Sequence, residues 1–217
     1  MFFDDSLKEL KKELKTLGAD MSYVRQWQKT FDKVKKQSDL LQEQYVRVKH
    51  NLENVYVTLK QLEQFLISCK ESADKTNIKN QVQSYAKEMK KYQNAFNHEF
   101  LISKEDADFQ STYASILCLS NKDLKQQKDV LILQSEVENL LALTKEALEK
   151  QWPSFRAMAY FYLNHVDKEI FDLPHADKIE KVSNVYKEEF IEPMYKELSK
   201  YMDAERAQKI LEVDVWN

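Results

Sequence analysis

The sequence predicts an all-α fold: an elongated multi-helix bundle built on one very long coiled-coil-like helix, about residues 20–72, that turns back as an antiparallel helical hairpin. Three observations predict it. The chain of 217 residues holds one glycine, Gly18, and three prolines, where average usage gives about fifteen glycines. Hairpin turns and phosphate-cradling loops both draw on the tolerance of glycine for positive φ, so few breaks and long elements follow. Gln, Lys, Glu and Leu, all good helix formers, dominate the composition. Finally, apolar residues alternate at spacings of three and four from Val24 to Cys69 without interruption.

The elements follow in order. Residues 4–17 predict a short amphipathic helix with Leu7, Leu10, Leu14 and Leu17 on one face, closed by Gly18 at the position of a C-terminal cap. Asp20 is placed to cap the next helix. That helix carries Val24, Trp27, Phe31, Val34, Ser38, Leu41, Tyr45, Val48, Leu52, Val55, Leu59, Leu62, Leu66 and Cys69, an a/d seam of more than six heptads and roughly 68 Å long at 1.5 Å per residue. Its early flanks are polar (Gln28, Lys35, Gln42, Lys49), which suits one or two partner helices. Toward its end Tyr56, Val57, Phe65 and Ile67 widen the apolar face, which then needs more than one neighbour. Ser38 reads as a tolerated polar defect in the seam.

Beyond a polar turn at 69–77, Ile78, Val82, Tyr85, Met89, Tyr92 and Phe96 resume the spacing and predict a helix over 78 to about 102, lying back along the long one. Ser103 and Asp106 resemble a capping box at a break near 103–108. Phe109 to Leu117 and then Val130 to Leu148 predict two further helices. Pro153 is expected in the first turn of an aromatic helix over 155–171, and Asp172 and Pro174 at the start of another, with a kink at Pro193. The tail, Ile210 to Trp216, either docks or awaits a partner. The whole, residues 1–217, is expected as a single helical domain of five to seven helices: a coiled-coil-like arm from the first half of the long helix and a bundle from the rest.

Composition narrows function. With 32% charged residues and a net charge of −3, the chain lacks the basic footprint of a nucleic-acid binder. Residues 1–109 hold 19 Lys and Arg against 17 Asp and Glu, net +2, leaving 14 against 19, net −5, for residues 110–217. Cys69 and Cys118 read as small core residues and not as a disulfide. No apolar run is long enough for a transmembrane helix, and Met1-Phe2-Phe3-Asp4-Asp5 lacks the regions of a signal peptide. Cytoplasmic residence is the expectation, with peripheral membrane association as the alternative.

No motif specifies catalysis. Di-iron bundles place Glu three residues before His, but the residues at that offset are Arg47, Ala95, Tyr162 and Asp172. The cysteines lie 49 residues apart, too far for a zinc knuckle, and a Gly-rich phosphate loop has no glycines to build it. His98 and His165 read as polar residues at bundle edges. No catalytic, cofactor-binding or metal-binding residues and no cofactor are therefore assigned.

The function expected is non-enzymatic protein–protein interaction, as a scaffold, adaptor or assembly subunit. Its candidate interaction seam comprises Val24, Trp27, Phe31, Val34, Leu41, Tyr45 and Val48, engaging a protein partner or a second copy. Long coiled-coil helices of this total length resemble, in architecture alone, banana-shaped BAR dimers. The alternative is accordingly a peripheral membrane or curvature module, with lysines near one end (Lys11, Lys12, Lys15, Lys33, Lys35, Lys36) and a first helix able to insert shallowly. A third alternative is an apolar-ligand sensor with a pocket lined by Phe155, Met158 and Tyr162. If the seam closes between chains, replacing Leu41 and Val48 by Asp abolishes association, measured by light scattering over a range of concentrations; a folded double variant that still assembles places the seam within one chain.

Overall fold

The structure, a computed structural model, describes residues 2–69, 75–91, 107–121, 127–165 and 175–215, with the side chains of 2–7, 9, 75–77, 107–110, 127, 175 and 212–215 excepted. All regular structure among them is helical: α1 (Phe2–Thr16), α2 (Met21–Ser68), α3 (Lys75–Lys90), α4 (Ala107–Ser120), α5 (Gln127–Glu149), α6 (Phe155–Asn164), α7 (His175–Tyr186), α8 (Glu192–Leu198) and α9 (Ala204–Val215). The fold is an all-α multi-helix bundle that includes the long helix read from the seam, α2, of 48 residues. Among the described residues no helix is long and apolar enough to cross a membrane. There are more helices than the spacing predicts, because the C-terminal third is interrupted at Pro193 and again at residues 199–203.

The chain clusters into two compact units that share α2. The first comprises residues 1–42, 152–167 and 176–217, and the second residues 43–151 and 168–175.

In the first unit, α1 ends as its sequence requires. Gly18 has φ +77, the Ala19 N–H donates to the Leu14 carbonyl at 2.9 Å, and the Gly18 N–H to the Lys15 carbonyl at 3.3 Å. These are the two bonds of a Schellman motif, and they satisfy carbonyls that the helix end would orphan. Asp20 caps α2: its Oδ1 accepts from the Ser22 N–H at 2.8 Å and from the Ser22 hydroxyl at 2.7 Å. The Ser22 side-chain and backbone hydrogen bonds hold the Asp20 carboxyl below its ordinary value. Leu14 is buried. The Lys11 ammonium donates to Gln28 of α2, and Glu13 pairs with Arg206 of α9 at 2.6 Å. The leucine face of α1 is therefore packed at Leu14, although Leu17 stays exposed. Val24, Phe31, Val34, Ser38 and Leu41 of α2 join Met158, Phe161, Val182, Phe190, Met194, Leu198 and Leu211 in the buried set. Leu211 shows that the described part of the tail docks; Trp216 lies outside the described residues, as do Asp172 and Pro174.

Two sequence expectations here need correction, the place of Pro153 and the extent of the aromatic helix, which ends at Asn164 and not at 171. Pro153 precedes the cap of α6 and does not occupy its first turn: Ser154 is the N-cap, its Oγ accepting from the Ala157 N–H at 3.1 Å. Pro193 produces a π-helical turn, Lys187–Ile191, at the position where a kink was expected. Proline has no N–H to offer the carbonyl four residues earlier and its ring crowds that carbonyl. The wide turn before it relieves both problems, with the Glu192 N–H reaching back five residues to the Lys187 carbonyl. The break after α8 ends at Asp203, whose Oδ1 caps α9 by accepting from the Arg206 N–H at 2.8 Å.

In the second unit, Val48, Val55, Leu59, Leu62 and Leu66 continue the seam as core, and Ile78, Val82 and Met89 of α3 are buried with them. The Phe65 and Tyr85 rings lie 6.2 Å apart across α2 and α3, and Asn139 donates to the Thr112 hydroxyl at 3.3 Å across α4 and α5. Each pair lies roughly symmetrically about its connection, the register of antiparallel neighbours. The buried Thr58 and Thr144 hydroxyls bond back to the carbonyls of Asn54 and Leu140 at 2.8 and 2.6 Å, which satisfies polar groups inside an apolar layer. Residues 92–106, including Tyr92, Phe96, His98 and the Ser103/Asp106 box, lie outside the described residues. Both cysteines are free, but Cys118 is exposed and Cys69 half-buried. Ile116, Leu119 and Ser120 form the inner face of α4, and at 100° per residue Cys118 falls on the opposite side.

Two substitutions test this packing by urea unfolding. Leu59→Ala empties a fully buried site and lowers stability by about 2–5 kcal/mol. Gly18→Ala meets no atom within 4 Å, so its cost of about 1 kcal/mol comes from the left-handed backbone alone.

Candidate functional site

In the first unit, polar chemistry gathers where the C-terminus of α6 meets the π-turn. The wide turn places Phe190 in the core and Glu189 against α6. His165 Nε2 lies 2.7 Å from Glu189 Oε2, and the Tyr160 hydroxyl donates to the same oxygen at 3.3 Å. A carboxylate only accepts, so Nε2 carries the proton in this contact. Behind it the Tyr160, Tyr186 and Phe190 rings form a triangle with centroid separations of 5.4 to 5.6 Å. The Arg156 guanidinium sits over the Phe31 ring at 5.6 Å, joining α6 to α2. Burial holds Arg156 below its usual value, opposed by the charges of Tyr186 and Asp39. Burial pushes the phenols of Tyr160 and Tyr186 up to about 12, with Glu189 adding to the effect at Tyr160. The buried Tyr186 hydroxyl has no hydrogen-bond partner among the described residues.

The arrangement is a strap. It ties the end of α6 to the π-turn through one shared carboxylate oxygen, and the His165–Glu189 pair is partly solvated, so its energetic contribution is modest. Among the described residues no three His, Cys, Asp or Glu side chains gather in a group able to hold a metal ion. Met158 is buried, Phe155 half-buried and Tyr162 exposed.

The candidate seam residues are covered by their own chain. Val24, Phe31, Val34 and Leu41 are buried in the first unit and Val48 in the second, while Trp27 and Tyr45 are half-buried. The Trp27 ring meets Tyr23 edge-on at 4.7 Å. A side chain already removed from water offers a partner little further apolar area in this conformation.

Exposed apolar surface lies elsewhere. The second unit carries an open groove of ≈ 560 Å³ along α2, lined by the apolar and aromatic Tyr56, Val57, Phe65 and Tyr85 together with Lys60, Gln61, Gln64 and Ser68. Val57 is 53% exposed, and Ile67 45%. Both belong to the widened flank of the long helix, in which Tyr56 and Phe65 are half-buried and Val57 and Ile67 stay open. Lys60, the one charged residue of the lining, is held by Glu63 at 3.0 Å.

Sequence reasoning found the members of the seam and missed the groove, the strap and the π-turn. Pro193 was the available signal for the last.

The phenols supply a test. A neutral phenol is favoured in the folded state, so the unfolded chain ionises first; this stabilisation is complete below pH 10 and is lost as pH rises toward about 12. Spectrophotometric titration should accordingly show late-ionising tyrosines, Tyr160 and Tyr186 among them, with Tyr113 also shifted upward by its burial. Tyr186→Phe removes an unpartnered hydroxyl and raises stability by about 1 kcal/mol, whereas Tyr160→Phe loses a hydrogen bond and lowers it by about 0.5–1 kcal/mol.

No protein family, curated protein or solved structure matches this chain.

Proposed function

We propose that the chain is a non-enzymatic helical interaction protein, a scaffold, adaptor or assembly subunit, and that it engages its partner through the groove on α2 and α3 of the second unit. The observation that supports this reading is the cluster of Tyr56, Val57, Phe65 and Tyr85 in the groove lining, with Val57 open to solvent while Val55, Leu59, Leu62 and Leu66 of the adjacent seam are packed. Aromatic anchors surrounded by neutral amides suit the apolar stripe of a single amphipathic partner helix, with side chains at i, i+3 or i+4 and i+7 seated in the groove. The seam Val24 to Val48 enters this reading as core, since a partner there would have to displace the chain's own helices. Scarcity of glycine and the structural use of Glu189 and His165 support the non-enzymatic part.

A photo-crosslinker at Val57, compared with one at exposed Ser135 on α5, identifies the partner by mass spectrometry. With that partner purified, Val57→Asp is expected to weaken binding by about 2 kcal/mol while the helical circular dichroism is unchanged. A partner captured equally from both positions, or an affinity indifferent to Val57→Asp, rejects the groove.

A further inference from the structure

The solvent face of α2 in the first unit carries a file of cations. Arg25, Lys29, Lys33 and Lys36 follow one another at spacings of four, four and three, and Leu40 comes four residues later. At 100° per residue these positions share one face, opposite Val24, Phe31, Val34 and Leu41 in the core. All four cations are exposed, and Leu40 is 46% exposed beside them. Over residues 21–42 the helix holds five Lys and Arg against two Asp, net +3, in a chain whose total is −3. Of the two carboxylates, Asp39 is taken by Lys35 at 2.9 Å, which leaves Asp32 as the one acid on the file. Among the described residues Arg25, Lys29, Lys33 and Lys36 form no ion pair, whereas Lys200, just past α8, pairs with Glu197 and Lys209 of α9 with Glu205.

We propose that this face binds an anionic lipid bilayer. A straight helix presents the file as a line about 16 Å long at 1.5 Å per residue, which suits a flat charged surface. Three of the four cations are lysines, point charges suited to diffuse attraction and not to bidentate contacts. The apolar side chain on the same face is aliphatic: Leu40 can enter the acyl boundary, whereas stacking on nucleobases calls for aromatic rings. Lys12 and Lys15 of α1, also exposed in this unit, add to the positive field. The leucine face of α1 is not required, since Leu14 stays packed.

Co-sedimentation of the full chain with phosphatidylcholine vesicles, with and without phosphatidylserine, tests the proposal. Binding is expected only with phosphatidylserine present, and is lost as salt rises from about 0.05 to about 0.5 M. The triple variant Lys29→Glu, Lys33→Glu, Lys36→Glu is expected to lose about 100-fold in affinity, at roughly fivefold or more per charge, with unchanged circular dichroism and melting temperature. The control triple Lys181→Glu, Lys196→Glu, Lys209→Glu alters net charge equally and retains binding within about threefold. The proposal is overturned if the wild-type chain fails to sediment at low salt, if the control loses as much as the stripe variant, or if duplex DNA at the same salt is bound more tightly than the vesicles.

Discussion

Burial of the three-four apolar seam of α2 is the constraint on which both units depend. In the first unit Val24, Phe31, Val34 and Leu41 are its contribution to the core, and in the second Val48, Val55, Leu59, Leu62 and Leu66. Each fully buried aliphatic side chain contributes about 1.5–3 kcal/mol relative to exposure. A helix of 48 residues with that many buried positions owes its stability to tertiary contact more than to helix propensity. Ser38 lies buried within the same row, so one polar position is accommodated without interrupting the helix.

The C-terminal third of the first unit shows how a single residue type reshapes what the seam packs against. Pro193 cannot donate to the Glu189 carbonyl, and the turn widens at Lys187–Ile191. The extra residue shifts the phase of the helix, so that Phe190 closes the ring cluster with Tyr160 and Tyr186 while the Glu189 carboxylate meets His165 and Tyr160. The phenols pushed up to about 12 follow from that packing. Titratable groups gathered in one place are here the by-product of closing a core around a proline.

With most of the seam buried, the proposed interactions rest on what remains outside it. In the second unit that is an apolar groove, because α3 covers only part of the widened face of α2. In the first it is a file of exposed cations on α2, without ion pairs among the described residues. The two surfaces differ in chemistry: one rewards removal of hydrocarbon from water and is insensitive to salt, and the other is electrostatic and screened within about 10 Å at ordinary ionic strength.

The sequence by itself determined the helical class, the long helix and the inward members of its seam. It also determined the Gly18 and Asp20 caps, because periodicity, glycine scarcity and capping chemistry are local and act over one to two turns. The positions of Leu59, Leu62 and Leu66 in the core, and the Schellman bonds at Gly18, follow from spacing alone. Only the tertiary structure decided which apolar residues off the seam would be covered. Val57 and Phe65 look equivalent as letters, yet Val57 is exposed and Phe65 meets Tyr85. The same holds for Cys118, flanked by apolar neighbours but exposed, and for Glu189, which reaches His165 only because the π-turn rotates it there. Coverage depends on where neighbouring helices lie, a long-range property that the periodicity of one helix does not encode.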